Sequence, residues 1–260
     1  MEIGLLTYNV LFNQAFTRLG PVLKQYHPDL LCLQEVDTQD INLKLIEDYG
    51  YRLADYSNSF LKFGRIYGQA TFYHRNSPVK FINSNALYLK KSVYELLSAL
   101  VKTFKGDNSS RTILETRFAL PGGREKIIVY NLHLSNFGLN GIRLKQLNQL
   151  LTKTRRLRGN PALIVTGDFN YPYGRKKLER LMQRYQLREA TRNVNFTFKR
   201  IKGTKYNPFI CWGDKLISLL GRKNHKLDYI FYRGLNLRQT EKINIQLSDH
   251  YPILSRFITR

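Results

Sequence analysis

Only 2 cysteines occur in 260 residues. Cys32 lies inside an apolar run and Cys211 in a distant polar stretch. Neither a disulfide framework nor a thiolate metal site can be built from them. No uninterrupted run of roughly 18 apolar residues is present, which excludes a membrane-spanning helix. Met1-Glu2-Ile3-Gly4 leads into a strand-like run without a basic leader or cleavage site, so a cytoplasmic or already processed form is expected. Solenoid repeats, low-complexity tracts and linkers are missing too, which points to a single domain over residues 1–260. Acidic residues are scarce: 19 Asp and Glu stand against 42 Lys and Arg, a net charge of +23.

That excess exceeds what solubility requires and points to a polyanionic partner, with DNA the first candidate and an anionic membrane the second. With 43% hydrophobic residues, 17 Tyr and 15 Phe, the chain can bury a sizeable core. Helical spacing predicts helices over 14–27 (starting nearer Gly20, because Pro21 suits a first turn), 39–49, 92–105, 138–158 and 174–185. Strands are expected near 68–74, 79–88, 111–119 and 125–134. Residues 199–226 form a long polar, basic stretch. His27 and His74 read as structural, and Asp37 and Asp40 as turn and cap residues.

Several strand-like runs end in polar side chains. Ala162-Leu163-Ile164-Val165-Thr166-Gly167-Asp168-Phe169-Asn170 is the most explicit, with Asp168 and Asn170 on one side of an extended chain. The same pattern also describes a strand closed by an Asx turn. Ile3–Asn9, Leu30–Glu35 and Ile127–His133 end in an amide, a carboxylate and an imidazole. Leu227-Asp228-Tyr229 and Ser248-Asp249-His250 follow near the C-terminus. Each polar end would be costly if half-buried alone, so convergence on one pocket is expected.

In this order the runs Thr7-Tyr8-Asn9, Leu33-Gln34-Glu35, Asn131-Leu132-His133, Gly167-Asp168-Phe169-Asn170, Leu227-Asp228-Tyr229 and Ser248-Asp249-His250 resemble the endonuclease/exonuclease/phosphatase superfamily. These are DNase I-like metal phosphodiesterases, and the resemblance covers essentially the whole chain. It implies an α/β (α+β) fold: a four-layer α/β/β/α sandwich of two mixed β-sheets packed face to face, with a metal site at one rim. Hydrolysis of a phosphodiester needs a hard cation on the non-bridging oxygens and a positioned water. Glu35, with Asn9 and Asp249, would hold Mg²⁺ or Mn²⁺. Asp168 would orient or deprotonate the water, and Asn170 would hold the phosphate or that water. His250 would donate to a phosphate oxygen, its tautomer fixed by Asp228, while His133 would stabilise developing charge or assist the leaving oxygen. Arg111 resembles a family position near the phosphate.

The Asn-x-Tyr-x-Pro-Asn segment of exonuclease III-like abasic-site nucleases is replaced by Asn131-Leu132-His133-Leu134-Ser135-Asn136, so the tyrosine of that branch is missing. His133-Leu134-Ser135 followed by Arg143 and Gln146 is more similar to the branch with tyrosyl-DNA phosphodiesterases, sphingomyelinases and deadenylases. The glutamate that assists the equivalent histidine of DNase I has no counterpart near Gly68-Gln69-Ala70. The expected activity is a nuclease leaving 5′-phosphate and 3′-hydroxyl ends, acting as a monomer. Lys199, Arg200, Lys202, Lys205 and Trp212 would grip DNA, beside Arg111 and Arg143. A sphingomyelinase-like lipid or small-molecule phosphodiesterase is the alternative, ahead of a non-catalytic nucleic-acid-binding module.

Overall fold

Val-, Ile-, Leu- and Tyr-rich runs buried on both faces make strands the dominant element. The computed structural model describes residues 1–62, 64–90, 111–121, 126–136, 139–157, 159, 161–201 and 225–259. The expected helix at 92–105, together with Lys202, Lys205, Cys211 and Trp212, lies outside the described residues.

One six-stranded sheet contains β1 (Glu2–Asn9), β2 (Leu30–Asp37), β3 (Tyr51–Lys62), β4 (Arg65–His74), β11 (Asn236–Lys242) and β12 (Ile253–Ile258). Its order is β11-β12-β1-β2-β4-β3. The other contains β5 (Lys80–Tyr88), β6 (Thr112–Ala119), β7 (Lys126–His133), β8 (Ala162–Asp168), β9 (Arg188–Glu189) and β10 (Asp228–Arg233), in the order β5-β6-β7-β8-β10-β9. Both sheets are mixed: β1 with β2 and β7 with β8 are parallel pairs among antiparallel ones. Helices α1 (Gly20–Tyr26) and α2 (Asp40–Lys44) accompany the first sheet, while α3 (Asn140–Thr154) and α4 (Arg175–Gln183) accompany the second. Three apolar cores result, one under each helical layer and one between the sheets, so the four-layer sandwich is the observed architecture.

Strand alternation distributes residues among these cores. Along β1, Ile3 and Leu5 enter the core between the sheets, while Leu6 and Tyr8 face the helices. Along β7, Ile127 and Val129 point between the sheets, and Ile128, Tyr130 and Leu132 point outward. The inter-sheet series then turn polar toward one end: Thr7 and Asn9, Gln34, Asn131 and His133, Thr166 and Asp168, and Asp228, all buried. Register brings these ends level, pairing Asn9 with Gln34, His133 with Asp168, and Asp228 with Asp168.

Several elements differ from the sequence-based expectation. The segment 14–27 becomes a 3-10 turn followed by α1, which starts at Gly20 with Pro21 in its first turn. The segment 39–49 splits into α2 and a 3-10 turn ending at left-handed Gly50. The sequence pattern predicts no strand at β3 or β11. Their many polar residues resemble loop composition, yet Ser57 and Ser59 are buried by hydrogen bonds to Gln69.

Gly167 sets the approach of β8 to β7. Its φ is 128°, and a Cβ there would lie 2.1 Å from the Leu132 carbonyl oxygen. Gly167→Ala is therefore expected to cost more than about 3 kcal/mol. Denaturant unfolding would measure it; an unchanged midpoint would show that the contact is not limiting.

Candidate active site

Glu35 reaches the site through a break in the alternation that built the core. Strict alternation would point it toward the helices with Leu31 and Leu33. A register shift between Gln34 and Val36, with Glu35 left-handed at φ 57°, turns it to the polar end instead. The adjoining loop is also unusual: Leu11, Phe12 and Asn13 have φ values of 47°, 48° and 69°. Left-handed conformations cost roughly 1–2 kcal/mol per non-glycine residue. Three backbone donors offset that cost. Leu11 N–H donates to Asn9 Oδ1 (3.0 Å), Phe12 N–H to Glu35 Oε2 (3.3 Å) and Asn13 N–H to the Glu35 carbonyl (3.1 Å).

Asn9 joins the two sheets. Its Nδ2 donates to Glu35 Oε1 (3.2 Å) and to Asp168 Oδ2 (3.1 Å). Its Oδ1, which carries two lone pairs, accepts from Leu11 N–H. Asn170, left-handed at φ 49°, donates from its backbone to Asp168 Oδ1 (2.8 Å) and from Nδ2 to Asp168 Oδ2 (3.2 Å). The Asx turn and the functional placement are thus one structure.

Two histidines flank Asp168 with opposite pKa shifts. Burial alone would lower the His250 pKa, but Asp228 at 2.7 Å and Asp168 at 3.8 Å overcome it and raise it to about 10. His133 is held well below its ordinary value by burial, Arg111 and His250. Its Nε2 faces Asp168 Oδ2 (3.6 Å) and Glu35 Oε1 (3.7 Å), and its Nδ1 has no hydrogen-bond partner among the described residues. Nε2 is thus the ring nitrogen turned toward the carboxylates. Burial raises both carboxyls: Asp168 to about 7 despite His250, and Glu35 with a further contribution from Asp249.

Crowded carboxylates with raised pKa values are what a divalent cation would relieve. Asp168, Asp228 and His250 place ligand atoms within 4.8 Å of one another. Two members of that trio, His250 and Asp228, are already in contact at 2.7 Å. Glu35 lies close enough to Asp249 to be destabilised by its charge, and it shares the Asn9 amide with Asp168.

Among the expected substrate contacts, Arg111 lies beside His133 and donates to Asn136 Oδ1 (3.2 Å). Lys199 is exposed and Arg200 half-buried, and the Lys199 backbone N–H donates to the Asp249 carbonyl (2.7 Å). Arg143 is 5% exposed, and its guanidinium donates to the Ser135 and Asn136 carbonyls and to Asn140 Oδ1. Lys226, read with the basic stretch at 199–226, is buried against Glu189 (2.6 Å), and burial lowers its pKa to about 8. That ion pair anchors the segment entering Asp228.

Other side chains hold these groups in place. Ser248 Oγ donates to the Asn9 carbonyl (2.7 Å) and accepts from His250 N–H, tying the His250 turn to β1. Thr197 Oγ1 accepts from the backbones of Leu227 and Asp228. Gln69 is buried, its Oε1 accepting from Ser57, Ser59 and Thr112.

A sequence model of the endonuclease/exonuclease/phosphatase family matches residues 6–250. A UPF0294 protein of Erwinia tasmaniensis is 29% identical over 149 residues, 57% of this chain and 47% of its own length, so the match spans about half of that relative. The catalytic domain of human nocturnin, solved with a bound sulfate anion, has a TM-score of 0.69 at 21% identity, covering 98% of this chain and 94% of its own. A mannosyl-6-phosphatase of Bacteroides thetaiotaomicron has a TM-score of 0.67 at 15% identity, covering 98% and 99%. These two likenesses are of fold.

The raised pKa values set a pH dependence. The stability linked to Asp168 is full below its ordinary 3.8 and lost as pH rises through about 7. That linked to His250 is full below 6.5 and lost as pH rises through about 10. Metal-free protein should therefore lose thermal stability between about pH 5 and about pH 8. Mg²⁺ should raise Tm by at least about 2 °C more at the higher pH. A shift that is equal at both, measured by calorimetry, would contradict the crowding of charge.

Proposed function

Because the chain belongs to the endonuclease/exonuclease/phosphatase family, we propose that it is a Mg²⁺- or Mn²⁺-dependent phosphodiesterase that cleaves DNA to 5′-phosphate and 3′-hydroxyl ends. The observation that carries this reading is buried His250 set 2.7 Å from Asp228 and 3.8 Å from Asp168 in a chain of charge +23. Glu35 and Asp249 would hold the cation, which when bound would neutralise non-bridging oxygens and draw electron density from phosphorus. Asp168 orients the attacking water and takes its proton. His250 donates a hydrogen bond to the phosphate, and Asp228 keeps its ring in place. His133 donates from Nε2 to charge developing on phosphate oxygens. Arg111, Lys199 and Arg200 supply cations for the flanking backbone, with Lys202, Lys205 and Trp212 proposed as further contacts. A monomeric cytoplasmic enzyme is the form we propose, consistent with a buried free thiol at Cys32.

One observation favours a lipid substrate instead. Leu61 and Ile66, cross-strand partners, are 38% and 45% exposed near the turn between β3 and β4. Total charge weighs more heavily, since both chemistries share the reaction centre.

His250→Ala and Asp168→Asn should each lower kcat on duplex DNA by about 100-fold or more while KM changes little, and Asp228→Asn should cost less. Binding of metal-free protein to duplex DNA should weaken steeply with salt. Sphingomyelin hydrolysis exceeding that of any nucleic acid, or a near-normal rate for His250→Ala, would overturn the assignment.

A further inference from the structure

A line of aromatic rings borders the reaction centre. Phe12 meets Tyr67 edge to face (5.3 Å) and Phe60 likewise (6.2 Å); Phe60 stacks on Tyr67 (5.6 Å, 24°) and meets the His133 ring at 6.0 Å. The line runs from Glu35, whose Oε2 accepts from Phe12 N–H, to His133. A cation sits at each end. Lys62 Nζ lies 4.1 Å from the Phe12 ring centre, and the Arg111 guanidinium lies 5.7 Å from that of Phe60. Phe12 and Phe60 are half-buried, and Phe12 is held in the left-handed conformation described above. Strain of that kind is maintained where a side chain must be presented in one direction.

We propose that Phe12 and Phe60, backed by the buried Tyr67 ring, form a subsite for the nucleobase next to the scissile phosphate, with Lys62 and Arg111 taking the flanking phosphate charge. This rests on the phosphodiesterase reading and adds a nucleotide-recognising surface to it. A cation over an exposed ring is held by a factor of only about 2 to 5. A base stacked on an aromatic side chain gains roughly 5- to 150-fold. An arriving base therefore displaces Lys62 from Phe12 and leaves its ammonium beside the nucleotide's phosphate. A quaternary ammonium headgroup would meet two cations on the same wall, so the subsite disfavours choline lipids.

Isothermal titration of the full chain with thymidine 3′,5′-bisphosphate and with base-less deoxyribose 3′,5′-bisphosphate tests this directly. The wild type should bind the thymidine compound about tenfold or more tightly. Phe60→Leu and, separately, Phe12→Leu should each narrow that gap while changing affinity for the base-less compound by no more than about twofold. Equal affinities in the wild type would overturn the subsite. So would a parallel loss for both ligands in the variants, which would mean that the rings only support His133, and so would tighter binding of phosphocholine. A wild type that shows the gap but does not hydrolyse thymidine phosphodiesters would contradict the enzymatic reading and keep the subsite.

Discussion

Carboxylates brought together out of water must find positive charge, and the polar end of this sandwich is organised around that constraint. Glu35, Asp168, Asp228 and Asp249 meet in a chain with only 19 acidic residues. Hydrogen bonds from Asn9 and Asn170 and the ring of His250 offset part of the repulsion. The rest appears as raised carboxyl pKa values, which a bound cation would relieve. The same concentration of negative charge raises the His250 pKa to about 10, whereas burial, helped by Arg111, lowers that of His133.

The site is held by what lies beneath it. Gln34 Nε2 donates to Asn131 Oδ1 (2.7 Å) across the two sheets, and Asn131 Nδ2 returns to the carbonyls of Leu33 and Ala70. Such buried amide pairs fix the relative position of the sheets more narrowly than apolar contact does. Asn9 and Asp168 belong to different sheets, so a slide between them would separate the carboxylates from their donors. Function here depends on sheet packing, with the strand ends acting as one surface.

Much of this was legible in sequence because period-two alternation and polar strand ends are local signals. Asp168, Asn170, Asp228, His250, His133 and Glu35 all lie at the common rim. Other features depend on contacts distant in the chain. The orientation of Glu35 follows from a bulge, which leaves no residue signature. Lys226 looks like one more surface cation until Glu189, 37 residues away, is placed against it. Arg143 donates to carbonyls of its own neighbourhood. The aromatic wall draws on the loop at 11–13 and on β3 and β4, and β3 was hidden by its serines and asparagine.

Hydrolysis of bis(p-nitrophenyl) phosphate by protein stripped with EDTA, before and after addition of Mn²⁺, is the most direct test of the central claim. The charged pocket predicts no turnover in the stripped protein, full recovery with Mn²⁺, and impaired recovery in Glu35→Gln. Undiminished hydrolysis in excess EDTA would contradict it.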